Sequence, residues 1–194
     1  PWTVPGPQSI VVDPVTGDAY AVNLSGSDGF QYFNKINLSS GSPLVGTNWN
    51  WSRLGFFQSS IDVDGALHLT ASTPGTVGTL IDGLFYSGNR PNSQPEFYFS
   101  AGANHKIKRL FYNGSAWEIA TVGGTGTNAI TDGDISTIAE FSAASGMFRS
   151  LLDDQILIAS RLGDVIRKWD EPTTDNVATI YGDQTAQVQE DLYF

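Results

Sequence analysis

Phe97-Tyr98-Phe99-Ser100-Ala101 followed by Asn104-His105-Lys106-Ile107-Lys108-Arg109-Leu110, and Ile156-Leu157-Ile158-Ala159-Ser160 followed by Gly163-Asp164-Val165-Ile166-Arg167-Lys168-Trp169, are two versions of one pattern 59 residues apart. Extended, Phe97–Gly123 lies over Ile156–Gly182 without a gap, and Thr121-Val122-Gly123 falls on Ile180-Tyr181-Gly182. Each copy reads as strand, tight turn, strand, loop and strand, closing on Gly. Phe97–Phe99 and Ile156–Ile158 are each three apolar residues in a row. Strands of that kind are covered on both faces, whereas a strand with one wet face alternates polar and apolar residues.

Outward from this pair the same grammar continues. Ser9–Asp13 leads through Pro14-Val15-Thr16-Gly17 into Asp18–Asn23 and then Phe33–Leu38, and Ser59–Asp64 leads through Gly65 into Ala66–Ala71 and then Val77–Ile81. Equivalent strands start near Ala19, Leu67, Phe97 and Ile156, a mean step of about 46 residues, which is the length of a propeller blade. The copy near Pro91–Pro95 is expected to lack or remodel its first strand. Helix signals reduce to Ile135–Ala144, between Gly133 and Gly146. The expected architecture is all-β: one domain over residues 1–194, a β-propeller of about four four-stranded blades, either incomplete or part of a larger ring.

These residues resemble the NHL-repeat propellers. Asn104-His105-Lys106-Ile107-Lys108-Arg109 is close to that family's Asn-His-Arg-Ile-Arg signature, with Lys in place of Arg. Thr121–Thr127 resembles its Val-Ala-Gly-Thr-Gly closure. Thr131-Asp132-Gly133-Asp134, running through Ile138-Ala139-Glu140-Phe141 to Ser145-Gly146, resembles its acidic-glycine loop and the segment after it. The likeness is specific over residues 97–182 and weak before residue 90. It implies a scaffold that presents loops and a channel mouth, and a ring of six blades where 194 residues supply about four. Catalytic propellers of this broad group hold a metal in the channel through His or carboxylate ligands, and no matching set is found here.

Composition narrows the field further. The chain has 194 residues, 20 acidic against 10 basic side chains, a formal net charge of −10 and no Cys. The acidic balance disfavours nucleic acid, whose phosphates demand Lys and Arg. Without Cys there is no disulfide framework, no thiolate zinc site and no thiol catalysis. No apolar run reaches the roughly 18 residues of a membrane helix, and no signal peptide stands at the start. The opening at Pro1 points to a processed product or a segment of something longer. Glu190-Asp191-Leu192-Tyr193-Phe194 resembles a tag-removal protease site with Asp for Asn; otherwise it reads as a closing strand.

Candidate chemistry is sparse. His68 and His105 are the two imidazoles: His68 lies between Leu67 and Leu69 in a strand and reads as packing, and His105 holds a signature turn position. Neither has the neighbours of a nucleophilic triad. Asp132 and Asp134 could offer oxygens to a hard divalent cation, although Asp-Gly is first of all turn chemistry and the ligand count falls short. Asp62-Val63-Asp64-Gly65 is a similar turn. No cofactor is expected.

Binding candidates are clearer. Asn48-Trp49-Asn50-Trp51 alternates so that Trp49 and Trp51 share one face of a strand with Asn50 between them. Such a face is either inter-blade packing or a sugar platform, rings against apolar sugar faces and amide on hydroxyls. Phe30, Tyr32 and Phe33 are expected in an insertion projecting from the rim. Lys106, Lys108, Arg109, Arg161, Arg167 and Lys168, six of the ten basic residues, lie in the two best copies. Lys106, Lys108 and Arg167 would then line one propeller face for an anionic glycan or acidic partner, or serve as repeated salt bridges. Sequons occur at Asn23, Asn37, Asn50 and Asn113.

Three function classes follow. The first is a non-catalytic binding propeller for protein or glycan, suited to an extracellular or virion surface. The second is a structural subunit that completes its ring as a homo-oligomer. The third is a metal-dependent lyase or lactonase-like enzyme.

Overall fold

Asp13 shows how this chain closes a strand pair. Its carboxylate accepts the Val15 N–H at 2.8 Å and the Thr16 hydroxyl at 2.9 Å. Its carbonyl accepts the Gly17 N–H, and Gly17 takes φ 75°, open to glycine at little cost. Asn113 closes another hairpin in the same way, its side-chain oxygen accepting the N–H groups of Ser115 and Ala116. The computed structural model describes residues 7–24, 30–38, 50–58, 62–67, 81, 83–89, 94–150, 152–171 and 173–182, with the backbone alone at Pro7, Leu24, Asn50, Trp51, Phe57 and Asn89.

These turns join an all-β chain of three separate antiparallel sheets. The first holds β1 (Pro7–Val12), β2 (Ala19–Leu24), β3 (Phe30–Asn37) and β4 (Asn50–Gln58) in sequence order. The second is built from β5 (Gly65–Ala66), β6 (Gly83–Asn89), β7 (Pro95–Ala101), β8 (Lys106–Tyr112) and β9 (Trp117–Gly123), in the order β5-β9-β8-β7-β6. The third repeats that order with β10 (Gly133–Asp134), β11 (Ala144–Arg149), β12 (Ile156–Ser160), β13 (Val165–Trp169) and β14 (Asn176–Tyr181), as β10-β14-β13-β12-β11. In the second and third sheets, then, a meander of four strands is edged by a two-residue strand that precedes it in the chain.

By contact the chain falls into two units, Pro1–Phe99 with Lys108–Thr121, and Ser100–Ile107 with Val122–Phe194. In the first unit two sheets meet through buried rings. Tyr20 on β2 lies 4.8 Å from Phe97 on β7, and Phe33 on β3 lies 5.0 Å edge-on to Trp117 on β9. Gln31, fully buried beside them, accepts the Ile81 N–H at 3.1 Å and donates to Gln8, so its amide is satisfied. The second unit's core is Ile156, Ile158, Val165, Trp169 and Val177 from one face of the third sheet, with Ile135, Ala139 and Phe141 from the preceding loop.

The structure alters several expectations. Three sheets are described where about four copies were expected. Of the copy placed at Leu67, residues 62–67 and Ile81 are described, and Gly65–Ala66 pairs with Glu118 and Ile119 as the edge of the second sheet. The sheet containing Phe97 does have a first strand, β6. Phe30, Tyr32 and Phe33 belong to β3 rather than to an insertion, and the Phe33 ring is wholly buried. Within Ile135–Ala144, residues 135–138 form a turn, Glu140 bridges to Thr131 and Ala144 opens β11, and no α-helix occurs among the described residues.

Candidate functional site

The best-matched copies place the same three-part clamp. In the second sheet Lys108 rises from β8 with 1% of its side chain exposed, its Nζ 2.5 Å from Asp62 and 2.7 Å from Asp64. Asp64 also accepts the Thr121 backbone N–H at 2.7 Å and the Thr121 hydroxyl at 3.2 Å. In the third sheet Arg167 rises from β13, wholly buried, its Nη2 2.8 Å from Asp132. Asp132 accepts the Thr179 N–H at 2.8 Å and the Thr179 hydroxyl at 3.0 Å. Arg167 also donates to the carbonyls of Thr131 and Glu140 and lies 5.0 Å over the Phe141 ring.

The clamp follows from local sequence. Asp64 and Asp132 each stand immediately before a Gly with φ 146° or 142°, where a short edge strand begins. Each edge strand lies beside the fourth strand of its meander and brings its Asp to the Thr there. Burial opposes ionisation of both carboxyls, but the donors outweigh it. Lys108 and Thr121 hold Asp64, and Thr179 and Arg167 hold Asp132, below the usual carboxylate range.

A second pair of close approaches accompanies the clamps. His105 and Asp164 take left-handed φ of 56° and 50° at equivalent turns. Gly124 and Gly182 lie against them with φ 91° and 93°. A Cβ would fall 2.5 Å from the His105 carbonyl in one case and 2.3 Å from the Asp164 carbonyl in the other. Thr121 and Gly124 therefore correspond to Thr179 and Gly182, one residue out of step with the gapless alignment. The slip falls between the last two strands of each sheet, where Lys108 and Thr121 are 13 residues apart and Arg167 and Thr179 are 12.

Four of the site residues read from sequence, Lys108, Arg167, Asp132 and Asp134, have structural partners here. Lys108 and Arg167 are not surface cations; they are buried and spent on the carboxylates that close each sheet. Lys106, half-buried at the start of β8, has partners of its own. Asp132 is engaged by Arg167 and Thr179, and one oxygen of Asp134 accepts the N–H and hydroxyl groups of Ser136 and Thr137. Among the described residues no group of three or more His, Asp or Glu gathers as metal ligands do.

Asn50 and Trp51 open β4, opposite Asn37 and Ile36, while Trp49 and His68 lie outside the described residues. Two residues beyond Trp51, exposed Arg53 lies 4.3 Å over the Tyr32 ring on β3, a cation–π pair not foreseen from the sequence. Of the sequons, Asn23 is buried, its side-chain oxygen accepting from the Asn34 amide at 2.9 Å, whereas Asn113 is exposed at a hairpin tip. No helix among the described residues is long and apolar enough to cross a membrane.

Fold and clamps together define a repeat protein of four-stranded antiparallel meanders, each of the last two closed by a preceding edge strand. Solved structures of similar fold exist. An auxiliary nutrient binding protein from Bacteroides thetaiotaomicron VPI-5482 matches with a TM-score of 0.55 at 15% identity, over 88% of this chain and 47% of that one. A candidate phosphatase from the same organism matches at 0.57 and 14%, over 90% of this chain and 35% of that one. An auxiliary nutrient binding protein from Bacteroides ovatus ATCC 8483 matches at 0.53 and 14%, over 91% and 36%. This chain thus spans a third to a half of the length of those proteins, and the likeness at such identity is one of fold. No family model matches the chain, and no curated protein matches it.

Proposed function

We propose that the chain is part of a β-propeller of NHL-repeat type whose work is binding, with its loops and strand ends offered to a glycan or protein. The observation that carries this reading is the repeated clamp. Four ionisable side chains, Lys108, Asp64, Arg167 and Asp132, are committed to holding the second and third sheets closed, which supports reading the repeat as a scaffold. Two of the similar structures are nutrient binding proteins, which supports a binding role. The candidate residues are Trp49, Asn50 and Trp51, and two positions beyond Trp51 the Arg53 guanidinium lies over the Tyr32 ring. Tryptophan, asparagine and arginine within one such stretch are residue types that suit a sugar, and the guanidinium favours one that carries a carboxylate.

The test is a glycan-binding measurement on the wild type and on a Trp49→Ala/Trp51→Ala variant, with thermal melting alongside. Binding by the wild type that disappears in the variant at unchanged melting temperature supports the reading. A collapse of melting temperature places the indoles in packing, at a cost of roughly 3–5 kcal/mol each. A wild type that binds no glycan removes the sugar reading.

A further inference from the structure

Asn113 is the one asparagine in the chain followed by glycine. With no Cβ on the next residue, little hinders the Gly114 nitrogen from reaching the Asn113 side-chain carbon. The pair stands at the exposed tip of the hairpin joining β8 to β9, closed by the Asn113 N–H donating to the Ala116 carbonyl at 3.0 Å. A Cβ placed on Gly114 would meet no atom within 4 Å, and the Gly114 N–H has no hydrogen-bond partner among the described residues.

The Asn113 amide is held at both ends. Its Oδ1 accepts the N–H groups of Ser115 at 2.8 Å and Ala116 at 2.9 Å. Fixed backbone donors at such distances stabilise the oxyanion of an acyl-transfer intermediate, and here they meet the oxygen that becomes negative when Cγ is attacked. Its Nδ2 donates to Glu118 Oε2 at 2.9 Å. Glu118 is in turn the register partner of Ala66 on β5, the edge strand that follows Asp64 of the lysine clamp.

From this we propose that Asn113 is a self-modifying site, converted by its own hairpin through a cyclic imide to aspartate and isoaspartate. The Gly114 nitrogen gives up its proton and bonds to Asn113 Cγ. The Cγ–Nδ2 bond breaks, and that nitrogen leaves as ammonia, taking a proton in exchange. Water then opens the ring, at Cγ to give aspartate or at the Asn113 backbone carbonyl to give isoaspartate. One water is consumed and one ammonia released. The aspartate product sets a carboxylate where an amide had donated to Glu118, and like charges at that distance repel. The modification therefore acts on the strand that β5 edges. The proposal stands on this hairpin and is independent of the glycan reading.

The test follows the 194-residue chain in mildly alkaline buffer, folded and in urea, by peptide mass spectrometry that resolves both acid products. A stiff backbone resists closing the ring, so glycine alone predicts a slower reaction in the folded chain. The two donors on Oδ1 predict the reverse. Folded Asn113 should convert at least as fast as unfolded Asn113, with isoaspartate among the products. A folded rate below the rate in urea, or an Asn113 that stays intact, overturns the proposal. Asn113→Asp should melt below the wild type, and adding Glu118→Gln should recover the difference. A melting temperature unchanged by Asn113→Asp, or a loss that Glu118→Gln does not relieve, overturns the link to Glu118.

Discussion

The middle and last sheets carry the same pattern, yet they sit in different surroundings. In the middle sheet β7 is buried at every residue, and in the last sheet the equivalent β12 alternates between buried and open. Their sequences hardly differ in kind, Phe97–Ala101 against Ile156–Ser160. An apolar run on both faces thus records what the repeat is built to bury rather than what is buried at a given copy. The clamps differ in the other direction. Lys108 meets two carboxylates, whereas Arg167 meets one and adds two backbone carbonyls and an aromatic face.

Removing each cation tests that difference most strongly. Arg167→Ala should lower the stability of unfolding in urea by about 2–4 kcal/mol, as expected when two carbonyls lose a charged donor. It leaves Asp132 unbalanced, the Thr131 and Glu140 carbonyls without their donor, and Phe141 bare. Lys108→Ala should cost less, because all three carboxylates are partly exposed and can rehydrate, while losing Lys108 strands no backbone carbonyl of the kind Arg167 serves. Equal losses would mean that the two clamps are energetically the same, and a loss under about 1 kcal/mol at Arg167 would remove its structural role.

The paired glycines come next in size. Gly124→Ala and Gly182→Ala each force a Cβ onto a backbone carbonyl at positive φ, worth about 1–3 kcal/mol from the backbone alone. Gly124 is buried and Gly182 is exposed, so the first change should cost more. Thermal unfolding of the two variants checks the order. The reverse order would show that the turn at Asp164 is held more rigidly than the one at His105.

The sequence carried the sheets but not their closure. Phe97–Ala101 and Ile156–Ser160 are legible as strands because an unbroken apolar run between turn residues has few other uses, and β1 to β3 follow from the Asp13–Asp18 turn. The count of copies was harder. Gly65-Ala66 looks like the start of another copy, yet two residues suffice to edge a neighbouring sheet. The clamps were half visible: Asp64-Gly65 and Asp132-Gly133 resembled each other, and Lys108 and Arg167 fell on one another. What hid their pairing is distance along the chain, since Asp64 lies 44 residues from Lys108 and Asp132 lies 35 from Arg167. Lysine and arginine in a repeat therefore read as a surface patch until a sheet edge is known to deliver the carboxylates.

The smallest expected effect separates the clamps from the rest of the acidic surface. Asp64 and Asp132 are held below the ordinary carboxylate range when folded, so near and below an unfolded Asp value of about 3.9 the unfolded chain binds the protons first. The stability they contribute is complete above that value and falls away as the pH drops through the lowered folded values. Asp134, Glu140, Asp153 and Asp170 are lowered too, by Ser and Thr donors at exposed turns, and they act in the same window. Asp64→Asn/Asp132→Asn should therefore lower stability at pH 7 while flattening, without abolishing, the loss between about pH 5 and pH 2. Urea midpoints across that range measure the slope. An unchanged slope would assign the acid sensitivity to the exposed turns and leave the clamps as contacts of shape and hydrogen bonding. A slope reduced more by Asp132→Asn than by Asp64→Asn would make the arginine clamp the more strongly linked of the two.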